Sequence, residues 1–171
     1  MTRRRKVVLS IAGALVGLVA LLAFLGSVRD THIVTVTRST DACRDAMWDL
    51  WADVPARTEW DKGLDYIELD EPFEAGATGT VKVQGQDPIA YEVVEVVPQE
   101  RYTDRFKSLP WTHTDWHHTI EPNDQGGYDV TWRLEARGPL SILTLPITTS
   151  IFGAEVPGAV DEFVGLAESR C

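Results

Sequence analysis

Cysteine is scarce in this chain, with Cys43 and Cys171 the two examples in 171 residues. No Cys-x-x-Cys pair is present, which removes the common zinc ribbons and dithiol redox motifs. Also missing are a Gly-Lys-Ser/Thr phosphate loop, a G-x-G-x-x-G opening a helix after a strand, and a G-x-S-x-G elbow. Nucleotide-driven chemistry and the usual serine-hydrolase layout therefore have no support. Basic residues are few, 16 against 26 acidic, for a net charge of −10. The body is more acidic still once the basic N-terminal cluster is set aside, and it carries no basic stripe. Such a surface does not bind nucleic acid or anionic lipid through charge. Internal repeats and low-complexity tracts are absent as well.

What the chain does have begins at its N-terminus. MTRRRK is followed by an uncharged run, Val7 to Ser27. At 1.5 Å per residue this run covers roughly 30 Å, the hydrocarbon thickness of a bilayer. The cluster Arg3, Arg4, Arg5 and Lys6 then keeps the N-terminus in the cytoplasm and sends the body across. The expected division is a basic tail (1–6), a transmembrane anchor (7–27) and one domain (28–171). A cleaved signal peptide, giving a secreted domain, is the rival reading. The apolar run is long for a signal, and Leu25-Gly26-Ser27 is a poor cleavage site, so length favours the anchor. Both readings export the domain to a compartment that permits a Cys43–Cys171 disulfide; two free or intermolecular thiols fit the sequence equally.

The order of elements is specific. IVTVTRS alternates as a strand, and Ser39 and Thr40 offer caps for a helix through DACRDAMWDLWADV. Pro55 suits the first turn of a second short helix, PARTEW. LDYIELD, TGTVKVQG, PIAYEVVEVV, ERYTDRFKS, THTDWHHTIE and GYDVTWRLEAR then read as six antiparallel strands joined by short turns. The final segment, GPLSILTLPITTSIFGAEVPGAVDEFVGLAES, is helical in pattern, with Pro146 and Pro157 expected to interrupt it. This is the order of an α+β helix-grip fold, a curved antiparallel sheet around a C-terminal helix. On MWDLWADVPARTEWDKGL, FEAGATGTVKV, YEVVEVVPQERY, HTIEPNDQGGYDVTWRLEARGPL and the closing helix, the chain from about Ile33 to Ala167 resembles the polyketide cyclase/dehydrase and lipid-transport branch of the START/Bet v1-like (SRPBCC) superfamily. The resemblance implies a small hydrophobic ligand in an internal cavity. It implies no single reaction, and no cofactor is expected.

Parity along the strands selects site residues. Val130, Trp132, Leu134 and Ala136 share a face opposite Thr131, Arg133, Glu135 and Arg137. The turn Asn123–Gly127 sets Ile120, His118 and Trp116 against Val130, Trp132 and Leu134. His113, Asp115 and His117 then share the solvated face, an open row that supplies no closed metal shell. His118 points inward, and the SLPW hairpin is expected to place Asp104 opposite His118, Phe106 opposite Trp116 and Tyr102 opposite Ile120. Trp116, His118, Trp132, Phe106, Tyr102 and Leu134 are the candidate ligand-binding residues. Tyr66 and Tyr91 stay unassigned, because YEVVEVV carries valine on both faces. Trp48, Trp51 and Trp60 are expected to be packing. A carboxylate beside a histidine raises its pKa and fixes its tautomer, so an Asp104–His118 pair would serve proton transfer.

Three functions follow from these residues. A membrane-anchored binding module for a lipid, quinone or polyketide-like molecule is favoured. A cyclase/dehydratase using His118 and Asp104 is the alternative, and its weakness is that polyketide assembly needs cytoplasmic carriers. An interaction domain with a collapsed core is the third. Protein partners are not legible.

Overall fold

The computed structural model describes residues 3–171. An apolar helix α1 (Arg3–Val28) leads directly into strand β1 (Thr31–Thr40), then α2 (Arg44–Ala52) and a 3-10 segment (Pro55–Glu59). Six strands follow: β2 (Leu64–Leu69), β3 (Thr78–Val83), β4 (Ile89–Val97), β5 (Arg101–Leu109), β6 (Thr112–Pro122) and β7 (Tyr128–Arg137). The long helix α3 (Ser141–Ser169) closes the chain. One sheet of seven antiparallel strands has the order β1-β7-β6-β5-β4-β3-β2, so the first and last strands meet while each other neighbour is a hairpin. This is the expected helix-grip architecture. Met1 and Thr2 of the expected tail lie outside the described residues, and α1 already takes in Arg3.

α3 runs alongside β1. Thr31 and Ser141 share a hydroxyl contact of 3.1 Å at one end, and Arg38–Asp161 and Thr40–Glu168 join the two elements farther on. Its buried stripe, Val156, Val160, Phe163 and Ala167, falls at helical spacing against the concave sheet face. The helix runs unbroken through Pro146 and Pro157, correcting the expected interruptions; at Pro157 the burial of Val156 and Val160 outweighs the lost hydrogen bond, whereas Pro146 itself is exposed. α2 is likewise capped differently from expectation. Its N-cap is Cys43, which makes no side-chain cap bond; Thr40 Oγ1 accepts from the Ala42 N–H instead. Cys43 is disulfide-bonded to Cys171, with Cα atoms 5.7 Å apart, so the start of α2 is tied to the residue that follows α3.

α1 is joined to the body at a close-fitting contact. The Gly138 N–H donates to the Gly26 carbonyl at 2.8 Å. A Cβ on Gly26 would meet Gly138 O and Ser141 Oγ, both at 2.6 Å. Gly138, with φ +135, has the Trp111 carbonyl where its own Cβ would lie. The end of α1, the start of α3 and the β5–β6 tip thus interlock through two glycines. Beyond this joint α1 is exposed over most of its length, and Val8–Val28 is long and apolar enough to cross a membrane.

Candidate functional site

The expected β6–β7 register is present: Trp116, His118 and Ile120 face Leu134, Trp132 and Val130. The β5–β6 register is not. Tyr102 lies opposite His118, Asp104 opposite Trp116 and Phe106 opposite Thr114. The pairing lies two residues from the expected register, which preserves every face and changes every neighbour, and an irregularity between Phe106 and Leu109 interrupts the ladder just before the tip.

The consequence for Asp104 is a different partner. Its Oδ2 accepts from Arg57 Nη1 at 2.8 Å, and both side chains are buried. Arg57 also donates from Nε and Nη2 to the Trp51 carbonyl, at 2.9 and 2.7 Å. That carbonyl lies in the last turn of α2, where helices leave acceptors unpaired. The guanidinium lies 4.7 Å from the Tyr102 ring centroid and 5.1 Å from that of Phe73. One buried cation therefore links α2, the 3-10 segment and β5. Burial pushes the Asp104 carboxyl up from its ordinary value, and the Arg57 charge and hydrogen bond oppose that push.

His118 sits one step away, its ring stacked on Tyr102 with centroids 4.2 Å apart. Trp51 and Trp132 close on it at 5.8 and 4.8 Å. Burial, then the positive charge of Arg57, holds its imidazole well below the ordinary range, and it is neutral. The expected aspartate-raised histidine is thus corrected: Asp104 is committed to Arg57, and His118 is shifted the opposite way.

The six candidate ligand-binding residues divide into two groups. Tyr102, His118, Trp132 and Leu134 are buried in the main core, where Trp132 packs on Trp60 and Trp51 stacks on Phe163. Trp116 and Phe106 are half-buried nearer the β5–β6 tip, and Trp116 meets Phe152 of α3 at 5.3 Å. Aromatic side chains fill the inner group's space. Five buried polar atoms of the core nevertheless have no hydrogen-bond partner in the protein: Trp51 Nε1, Trp132 Nε1, Tyr91 OH, Asp104 Oδ1 and His118 Nδ1. Two surface depressions lie apart from these residues, one bordered by Arg44, Glu100 and Pro122 and the other by Glu59, Asp161 and Leu166.

On the opposite sheet face, Asp115 is gripped by Arg105 through two bonds of 2.7 Å. His117 Nδ1 lies 3.0 Å from Thr103 Oγ1, and its Nε2 3.6 Å from Glu135. The row is an interstrand polar ladder, and no cluster suited to a metal occurs among the described residues. Tyr91 is buried and Tyr66 exposed. An irregularity between Val93 and Glu95 shifts the strand's parity, which is why valine occurs on both faces of β4.

Sequence reasoning missed Arg57. A signal was available, since an inward-facing Asp104 requires a buried cation. Trp51 was read as packing alone, although it borders the polar cluster through its carbonyl and its contact with His118.

An antiparallel sheet gripping a C-terminal helix, with an aromatic interior holding a few polar groups, defines a helix-grip protein. Residues 31–168 match the family described as polyketide cyclase / dehydrase and lipid transport, and the chain belongs to it. No curated protein matches the chain by sequence. Among solved structures, the chain is similar to the di-domain ARO/CYC StfQ from the steffimycin biosynthetic pathway, at TM-score 0.67 and 13% identity. That match covers 82% of this chain and 52% of StfQ, so the chain spans about half of that protein. It is also similar to norcoclaurine synthase from Thalictrum flavum in complex with dopamine and hydroxybenzaldehyde, at TM-score 0.63 and 8% identity over 86% and 92% of the two chains. Protein CV1439 from Chromobacterium violaceum matches at TM-score 0.57 and 20% identity, over 79% and 96%. Identities this low establish the fold alone.

Proposed function

We propose that the chain is a membrane-anchored binding module that takes a small, mostly hydrophobic molecule carrying a hydroxyl or carbonyl group between its sheet and α3. The observation that carries this reading is the set of unpartnered polar atoms at Trp51, Trp132, Tyr91, Asp104 and His118. Each unpaired buried polar group costs roughly 1–3 kcal/mol, so four around one aromatic cluster, with Tyr91 OH in the adjoining one, favour a guest that pairs with them. Indole N–H groups donate, the Asp104 carboxylate accepts, and His118 Nδ1 does either according to tautomer. A guest needs the rings to repack, and the half-buried Trp116, Phe106 and Phe152, where α3 meets the β5–β6 hairpin, mark the route of entry this reading assigns. Lipids and quinones with a polar head satisfy this chemistry, and α1 would hold the domain beside their source. A proton-transfer role for His118 and Asp104 loses its basis in the Arg57 pairing.

The test is native mass spectrometry of the full chain extracted from membranes in mild detergent, with organic extraction of whatever co-purifies. A hydrophobic species is expected near one per chain. It should fall about tenfold in His118→Phe, which keeps the ring and removes the nitrogens. A bare mass for the wild-type chain, with no uptake from lipid extracts, would overturn the reading.

A further inference from the structure

The β5–β6 tip carries a residue that neither conformation nor packing explains. Trp111 has φ +55, a left-handed backbone that favours glycine or asparagine, and its side chain is 88% exposed. Beside it begins α3. Leu140 N donates to Thr112 Oγ1 at 3.2 Å, which sets the tip against the first turn of the helix. From there Leu143, Ile147 and Ile151 recur at every fourth position and are all exposed. No charge occurs between Ser141 and Ala154, whereas Glu155, Asp161, Glu162 and Glu168 follow in the other half. An acidic chain therefore keeps the first half of α3 uncharged and apolar beside an exposed indole, with the Arg137–Asp30 pair as a charged border at the joint.

The joint locates that end. Gly26, near the C-terminus of α1, contacts Gly138 and Ser141, and Ser141 Oγ lies 3.4 Å from the Gly26 carbonyl. Val8–Val28 covers about one bilayer thickness, so the start of α3 and the Trp111 tip fall at the level where the hydrocarbon ends. Tryptophan concentrates at that level, and an uncharged helix face with spaced Leu and Ile enters it without desolvating charge.

We infer that Trp111 and the Leu143–Ile147–Ile151 face of α3 form a surface that docks into the headgroup–acyl boundary of the lipid bilayer. The docked surface turns the half-buried Trp116, Phe106 and Phe152 toward the lipid, so a guest passes from bilayer to grip without crossing water. This rests on the reading of α1 as an uncleaved anchor.

The experiment uses the full chain in phosphatidylcholine nanodiscs and vesicles, with bromine carried near the headgroup end of the acyl chains. Trp111 emission is taken as the difference between the wild-type chain and Trp111→Phe. Bromolipid should quench it by roughly half, and the combined variant Leu143→Ser, Ile147→Ser, Ile151→Ser should lose that quenching while the protein stays with vesicles in alkaline carbonate. An unquenched Trp111 in a carbonate-resistant protein would overturn the docking surface and leave the anchor standing. Release by carbonate, or a chain cut after Ser27, would overturn the anchor and the surface with it. Protection of Trp111 in discs holding two copies but not in discs holding one would assign the face to a second copy instead, and also overturn the proposal.

Discussion

Tyr102 and His118 face each other across β5 and β6 with their rings parallel, 1° between planes and 4.2 Å between centroids. The stack holds His118 away from solvent and close to the charge of Arg57, so the folded chain resists its protonation. The unfolded chain does not, and binds the proton near the ordinary value of 6.5. The folded pKa is the lower one, so the stability from neutral His118 is complete above about 6.5 and is lost as pH falls toward the folded value. His113 is also lowered, chiefly by burial, and contributes in the same window. The denaturant midpoint should therefore fall between pH 7 and pH 5, with a slope of at most about 1.4 kcal/mol per pH unit from His118. His118→Phe should flatten that slope to the part His113 supplies; an unchanged slope would mean that His118 is protonated in the folded state.

Arg57 and Asp104 form a pair whose halves depend on each other. Arg57→Met leaves a buried carboxylate and an unpaired Trp51 carbonyl, and should destabilise the fold by about 3–5 kcal/mol. Asp104→Asn should cost less, because Arg57 keeps its bonds to Trp51. Combining Arg57→Met with Asp104→Leu should recover much of the loss, since no unpaired charge remains. Chemical denaturation of the wild type, Arg57→Met, Asp104→Leu and their combination gives the coupling, and additive losses would show that the pair is not a unit.

The Cys43–Cys171 bond spans 128 positions of chain. By the chain-entropy relation a loop of this length is worth up to about 5 kcal/mol, with measured values nearer 2–4 kcal/mol. Adding reductant, or replacing both residues by serine, should lower the melting temperature, and the last turn of α3 and the start of α2 should lose hydrogen-exchange protection first. Unchanged melting on full reduction would show that the ends are held by packing alone.

Gly138→Ala should be costly for a residue in a connection. Its φ of +135 is disfavoured for any L side chain, and the new Cβ would overlap the Trp111 carbonyl and Thr112. We expect a loss of about 2 kcal/mol or more, together with increased proteolysis at the β5–β6 tip. Gly76→Ala, also at positive φ but in open space, is the control that carries the conformational cost without the clash.

Legibility followed the physics of period and turn. The inward row Val130, Trp132, Leu134 and Ala136 was plain because alternation marks faces, and the β6–β7 register was plain because Asn123 closes a compact turn with Gly127. The β5–β6 register was not, since alternation cannot distinguish a shift by two and the irregularity after Phe106 leaves no pattern of its own. Arg57 was hidden because a short polar helix gives no sign of which residue turns inward. The unbroken course of α3 through Pro146 and Pro157 was equally hidden, because local proline cost was visible and the burial of Val156 and Val160 around Pro157 was not. The filled state of the grip depends on rotamers of Trp51, Tyr102 and Phe163, which no one-dimensional pattern encodes.

The interlocked glycines at the root of α1 have a mechanical meaning. A body hung on a loose linker swings and samples a hemisphere, and its partners meet it at many heights and angles. With Gly26 pressed on Gly138 and Ser141, and β1 beginning at Thr31, the body has no slack to swing. It rides on its helix as a blade on a shaft, so rotation of α1 about its own axis sweeps Trp111 and the outer face of α3 around a fixed circle. A twist or tilt imposed on the helix arrives at the grip undiminished, and any partner that binds the body bears directly on the helix.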